Sequence, residues 1–147
     1  MEFMHKHNYF ELAEFVRSDT AKKKGIDNTP SFQVVANLEE LVEKILDPLR
    51  AAYGMPIKVS SGYRCPVLNK AVGGSSSSVH QLGLAADLQV GGSFSKFRDF
   101  VVDWFIKTGT KFDQLLLEKD KKGNQWIHVG LRSNSGQQRG EIKVMTK

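Results

Sequence analysis

Residues 60–90, SSGYRCPVLNKAVGGSSSSVHQLGLAADLQV, are the stretch from which the rest of the chain can be read. Two metal-capable side chains stand in it, His80 and Asp87. Their separation is too long for the i, i+4 pair that presents two ligands from adjacent turns of one helix. It suits a histidine on a loop followed by a carboxylate on a strand. Gly83 lets the backbone turn between them, and Ala85 and Ala86 keep the surroundings small. Asp87-Leu-Gln-Val90 alternates polar and apolar, the pattern of a half-buried strand.

A second fragment, Gln125-Trp-Ile-His-Val-Gly-Leu131, alternates as well. Trp126, His128 and Gly130 share one face, and Ile127, Val129 and Leu131 the other. A histidine in a strand sits on a rigid element, which suits a ligand that must hold its geometry. A lone histidine there is more often a satisfied, half-buried side chain, and a lone aspartate before an apolar run is usually a cap or a surface residue. Two histidines and one carboxylate together are the donor set of an open metal site with three protein ligands. His80, Asp87 and His128 are therefore expected to hold one metal ion. The set suits zinc, and it also serves iron.

The chain of 147 residues fits one domain and is long enough to bury a core without disulfides. Residues 1–8 read as a flexible N-terminus and 9–147 as the domain. The single cysteine, Cys65, cannot form an internal disulfide and reads as a small buried side chain. The net charge of +5 raises nucleic-acid binding, but no Lys/Arg stripe with interleaved aromatics supports it. Lys22-Lys-Lys24 and Lys119 to Lys122 read as solvated loops, or as attraction to an anionic polymer. No segment approaches a membrane span, and no signal peptide is seen: Met1–Tyr9 lacks the apolar core that one requires.

Between these landmarks the elements follow from periodicity and punctuation. A short helix starts near Tyr9–Phe15, and a second runs from Ser18 to Lys24. Asp27-Asn-Thr-Pro30 is a turn with Pro30 at a first helical position. The strongest helix spans about Ser31–Tyr53: Leu38, Leu41, Val42, Ile45, Leu46 and Leu49 form one apolar stripe, and Glu39, Glu40, Glu43 and Lys44 fill the opposite face. Pro48 should kink or break it, and Gly54 should end it. Ile57–Ser60 is a short strand, Pro66–Val72 a turn or two of helix, and Gly73–Ser78 a Gly/Ser rim. A helix through Lys107 buries Phe97, Phe100, Val101, Trp104 and Phe105. Phe112–Glu118 and Gln125–Leu131 form a hairpin, Ser133–Gly140 is a polar loop, and Glu141–Met145 an edge strand.

These motifs resemble the D-alanyl-D-alanine metallopeptidases, a family grouped with lysostaphin-type enzymes and the hedgehog signalling domain. The family pattern of Ser-x-His-x6-Asp with a later Trp-x-His is present as Ser78-Val-His80…Asp87 and Trp126-Ile-His128. Ser61-Gly-Tyr-Arg64 is similar to the Ser-Gly-Tyr/Phe-Arg segment, and Asn69 with Gly73-Gly74 also fits. The likeness covers Phe10 to about Leu131. It implies an α+β fold, a small antiparallel sheet with helices packed on one side, and zinc as the metal. It implies a peptidase for peptidoglycan stem or cross-link peptides, and Arg64, Tyr63 and Ser78 as substrate-binding residues. Many relatives place the catalytic base three residues before the last histidine. Here that position is Gln125, which takes no proton at neutral pH. The hairpin brings Glu118 near the His128 strand instead, so Glu118 is the expected base and Asp120, in a charged turn, the weaker candidate. The resemblance also leaves open a non-catalytic zinc-containing cell-wall-binding or structural domain. The expected setting is a monomer, a phage lysin or a bacterial enzyme. It would reside in the producing cell before release, or be virion-borne or extracellular, and act at the cell wall.

Overall fold

A computed structural model describes residues 1–146. Its centre is a five-stranded sheet: β1 Lys58–Ser61, β2 Ala85–Gln89, β3 Gln114–Lys119, β4 Gln125–Gly130 and β5 Glu141–Thr146. The spatial order is β1-β2-β4-β3-β5. The first four strands pair antiparallel, and β5 joins β3 in parallel. The β3–β4 hairpin and the β5 edge strand stand where the sequence pattern places them. The helices are α1 Leu12–Val16, α2 Asp19–Lys24, α3 Phe32–Leu41, α4 Asp47–Tyr53, α5 Pro66–Ala71 and α6 Phe94–Thr108. This is the expected single α+β domain.

The apolar stripe of α3 and α4 is fully enclosed, from Leu38 to Leu49. It meets Phe97, Val101 and Phe105 of α6 and the sheet residues Leu88, Leu115, Ile127 and Val129 in one core. Side chains alternate across a strand. Burying Leu88, Leu115 and Ile127 on the helical face therefore turns Asp87, Leu116, Glu118 and His128 to the other face. One face of the sheet makes the core, and the opposite face is free to carry chemistry.

The long helix departs from expectation in an instructive way. Ser31 caps it, accepting the Val34 N–H at 3.2 Å, so Pro30 lies one position before the cap and not at the first helical turn. Pro48 does not stop the chain. Val42–Leu46 form a wide turn with π-type bonding between α3 and α4. A proline lacks the N–H and crowds the carbonyl four residues back, and one wide turn just before Pro48 absorbs both defects. The helix ends at Gly54, whose φ is 75°.

Glu39 is not on a solvated face: it is 6% exposed. The segment expected to be flexible lies over it. Met4 and His5 donate backbone N–H groups to Glu39 Oε1 and Oε2 at 2.9 and 2.8 Å, and His7 Nε2 stands 2.7 Å from Oε2. Phe3 packs on Phe15 at 6.0 Å between ring centres. β2 is likewise more enclosed than its alternation suggests, with Ala85 to Leu88 all buried. It runs inside the sheet, between β1 and β4, and the Val79–Leu82 turn packs against it.

Candidate metal centre

His80 lies in a short 3-10 turn, Val79–Leu82, capped by Ser78, whose Oγ accepts the His80 N–H at 3.3 Å. Gly83 closes that turn with φ 71°. A Cβ there would stand 2.8 Å from the Val34 carbonyl, so both conformation and space demand glycine. Asp87 on β2 is paired directly with His128 on β4. The turn thus lowers His80 onto a cross-strand Asp–His pair.

Three donor atoms meet there. His80 Nε2 is 3.1 Å from Asp87 Oδ1, His128 Nδ1 is 3.2 Å from the same oxygen, and the two nitrogens are 3.2 Å apart. Zinc with ligands at 2.0–2.2 Å in a tetrahedron needs donor separations of about 3.3–3.6 Å, so the triangle, slightly tighter than that, has the size of a site for one such ion. The His80 tautomer fits as well. Its Nδ1 donates to the Gly62 carbonyl at 2.7 Å, which leaves the Nε2 lone pair directed at the site. Gly62 is held tightly: a Cβ would meet the Phe15 carbonyl oxygen at 2.6 Å. Burial works against ionising Asp87, but the charge and hydrogen bonds of His80 and His128 more than offset it. Its carboxyl is held far below the usual range.

The triad lies at the floor of a cleft of about 600 Å³. Arg64, Ser78 and Glu118 line the same cleft. Glu118 is paired with Trp126 and Leu116 with His128 across β3 and β4, so Glu118 shares the face of His128. It is 6% exposed, and the Trp126 indole N–H donates to its Oε2 at 2.7 Å. Gln125 is an odd number of residues from His128 and belongs to the other face of β4. It is exposed. Asp120 lies in the hairpin turn and accepts the backbone N–H groups of Lys122 and Asn124 at 3.0 and 2.9 Å. Neither lines the cleft.

Arg64 donates through three nitrogens: Nε to Asn69 Oδ1 at 3.1 Å, and its two terminal nitrogens to Ser61 Oγ at 3.4 Å and Ser78 Oγ at 3.3 Å. Burial draws its pKa down while Asp87 and Glu118 nearby pull it back up, and a guanidinium stays charged throughout. Tyr63 does not line the cleft. It packs in the core beside Arg64, and burial raises its phenol pKa. Two features escape the sequence reading. The opposite rim is anchored by Asp113, which takes the Arg139 guanidinium at 2.8 and 2.9 Å. The Gly62 carbonyl orients His80, and only its place in a tight Ser-Gly-Tyr segment hinted at it.

Fold and donor set together define a class: a small α+β domain with an open, three-ligand centre of the kind metallopeptidases use. The chain belongs to the Peptidase M15 family, the D-alanyl-D-alanine metallopeptidases, whose family model matches residues 8–130. The family's enzymes are zinc-dependent peptidases. No curated protein matches the chain.

Proposed function

We propose that the protein is a zinc-dependent peptidase that hydrolyses stem or cross-link peptides of peptidoglycan, with His80, Asp87 and His128 as zinc ligands and Glu118 as general base. The observation that carries this reading is the placement of the Glu118 carboxylate on the same sheet face as the donor triangle, in one cleft. A zinc ion in such a site supplies a Lewis acid that polarises a carbonyl and acidifies water. Glu118 takes the proton of the attacking water and returns it to the leaving amine. The Trp126 indole N–H fixes Oε2 and so orients the carboxylate. Ser78 Oγ already accepts from Arg64 and from the His80 N–H. Both lone pairs are used, so its own hydrogen is free to bind substrate. Arg64 supplies a fixed positive charge beside the reacting carbonyl.

A carboxylate in the base position favours this reading over the non-catalytic, cell-wall-binding alternative. Digestion of purified sacculi by the zinc-loaded protein tests it. Release of peptide fragments is expected. Binding to sacculi without release would assign the protein to the alternative. We place its action at the bacterial cell wall, in the setting of a phage or bacterial lytic enzyme.

A further inference from the structure

Two loops form opposite rims of the metal cleft, residues 73–78 and 133–139, and each is braced independently of the other. On the first, Gln81 Nε2 donates to the Ser76 and Ser78 carbonyls at 3.0 and 3.2 Å. The Ser77 carbonyl between them is left for another donor. On the second, Ser133 and Gln137 close a tight turn. The Ser133 N–H donates to the Gln137 carbonyl at 2.9 Å, and the Gln137 N–H donates to Ser133 Oγ at 3.0 Å. Arginines fasten both feet of this turn, Arg132 to Glu40 and Arg139 to Asp113, each at 2.8 Å. Asn134 rides on the braced turn, and its Nδ2 donates to the Ser77 carbonyl at 3.2 Å. Among the described residues this is the only hydrogen bond that joins the two rims. Ser77 and Asn134 are both exposed. The cleft is therefore shut at that point by one amide between two stiff arms, not by core packing.

We propose that Asn134 is a specificity-determining clasp: while its bond to Ser77 is made, the cleft takes an uncross-linked peptide by its end, and a cross-linked peptide enters only when the bond opens. The proposal rests on the peptidase reading for the class of substrate, but the selection itself is a property of binding. The physical reason is room to leave the site. A cleft shut on one side holds a chain that stops inside it, whereas a chain that branches or continues past the metal needs both sides open. One neutral hydrogen bond in water favours the closed state by about five-fold, enough to bias entry and weak enough to open. Aspartate has the shape of asparagine but no donor, and its carboxylate would repel the Ser77 carbonyl oxygen, so Asn134→Asp opens the clasp. Asn134→Ala opens it without adding charge. Asn134→Gln keeps a donor on a longer stem.

The test is calorimetric binding of an N-acetylated stem tetrapeptide and of its cross-linked dimer to the zinc-loaded full chain carrying Glu118→Gln, which removes turnover. A preference of about five-fold for the uncross-linked peptide is expected, the strength of the clasp. Asn134→Asp and Asn134→Ala should each bring the two affinities together, and Asn134→Gln should keep part of the difference. All three replacements are at an exposed position, so the fold tolerates them. Equal affinity for the two peptides with Asn134 in place, no binding of either, a preference that survives both Asn134→Asp and Asn134→Ala, or a loss of affinity that is the same for both peptides would each overturn the proposal. If the preference follows Asn134 as described yet the protein with Glu118 intact hydrolyses neither peptide, the peptidase reading fails and the clasp stands.

Discussion

Glu118 is two residues along β3 from the partner of His128, and that single register relation is what supports it as the proposed base. Replacing it with Gln keeps the hydrogen bond from Trp126 but removes the proton acceptor. Peptide release should fall by about 10²-fold or more, while zinc content by plasma mass spectrometry stays at the unsubstituted level. Turnover that persists in the variant would assign the base elsewhere. Asp113 supports the rim in a different way. The Arg139 hydrogen bonds hold its carboxyl below the ordinary value of 3.8. A folded-state pKa that is depressed means the unfolded chain binds more protons in acid. Its stabilisation is therefore fully present above pH ~4–5 and fades as pH falls through the ordinary value toward the lowered one. The melting-temperature gap between the unsubstituted protein and Asp113→Asn should be wide at neutral pH and close in strong acid. A gap that does not change with pH would show that the carboxylate charge is not what stabilises.

Elements build the candidate metal site through backbone as much as through side chains. The Gly62 segment runs from β1 past α1, and Tyr63 donates its N–H to the Phe15 carbonyl at 2.7 Å. Gly62 can approach that closely only because it has no Cβ. In Gly62→Ala the added carbon meets Phe15 backbone atoms at 2.6 and 2.7 Å, and no rotamer relieves a backbone clash. The strand end must shift, carrying the carbonyl away from His80 Nδ1. Overpacking of this kind costs about 1–3 kcal/mol, and loss of a ligand's outer partner lowers metal affinity by about 10–100-fold. Competition against a chromophoric chelator reads the second effect and thermal unfolding the first. A destabilised variant with undiminished zinc affinity would show that the carbonyl does not tune the ligand.

At the scale of the whole molecule, the three proposed ligands come from the 3-10 turn, β2 and β4. A bound ion therefore ties the covering turn to the centre of the sheet. Metal that binds only the native state stabilises it by mass action, about 2.7 kcal/mol at a hundred-fold excess over Kd. For a domain of this size that is several degrees in Tm. Stripping zinc with a chelator should lower Tm, and restoring zinc should recover it. His128→Ala should hold little zinc and show no zinc-dependent shift in scanning calorimetry. A variant that responds to zinc as the unsubstituted protein does would remove His128 from the ligand set.

Local chemistry written in the sequence decided the elements and the donors. The Leu38–Leu49 stripe, the start of the second helix at Ser18, Gly54, the alternation of Gln125–Leu131 and the His80…Asp87 spacing each depend on near neighbours, and each stands in the structure as read. Three-dimensional packing decided what depends on distant partners. Glu39 looked solvated because helical periodicity cannot see the backbone of Met4 and His5 arriving from thirty-five residues away. Pro48 marks a kink or a break in the pattern, but the form the interruption takes, a wide π turn, has no signature in residue spacing. Tyr63 looked like a neighbour of Arg64 in function because adjacency in sequence hides that consecutive side chains point apart. Amide chemistry already set Gln125 apart from Glu118, but alternation assigns faces only within one strand, and which residues of β3 lie opposite His128 is fixed when the hairpin closes. The candidate ligands His80, Asp87 and His128 and the candidate base Glu118 were therefore legible in one dimension, whereas the cradle of Arg64 and the burial of Glu39 are properties of contacts that exist only once the chain is folded.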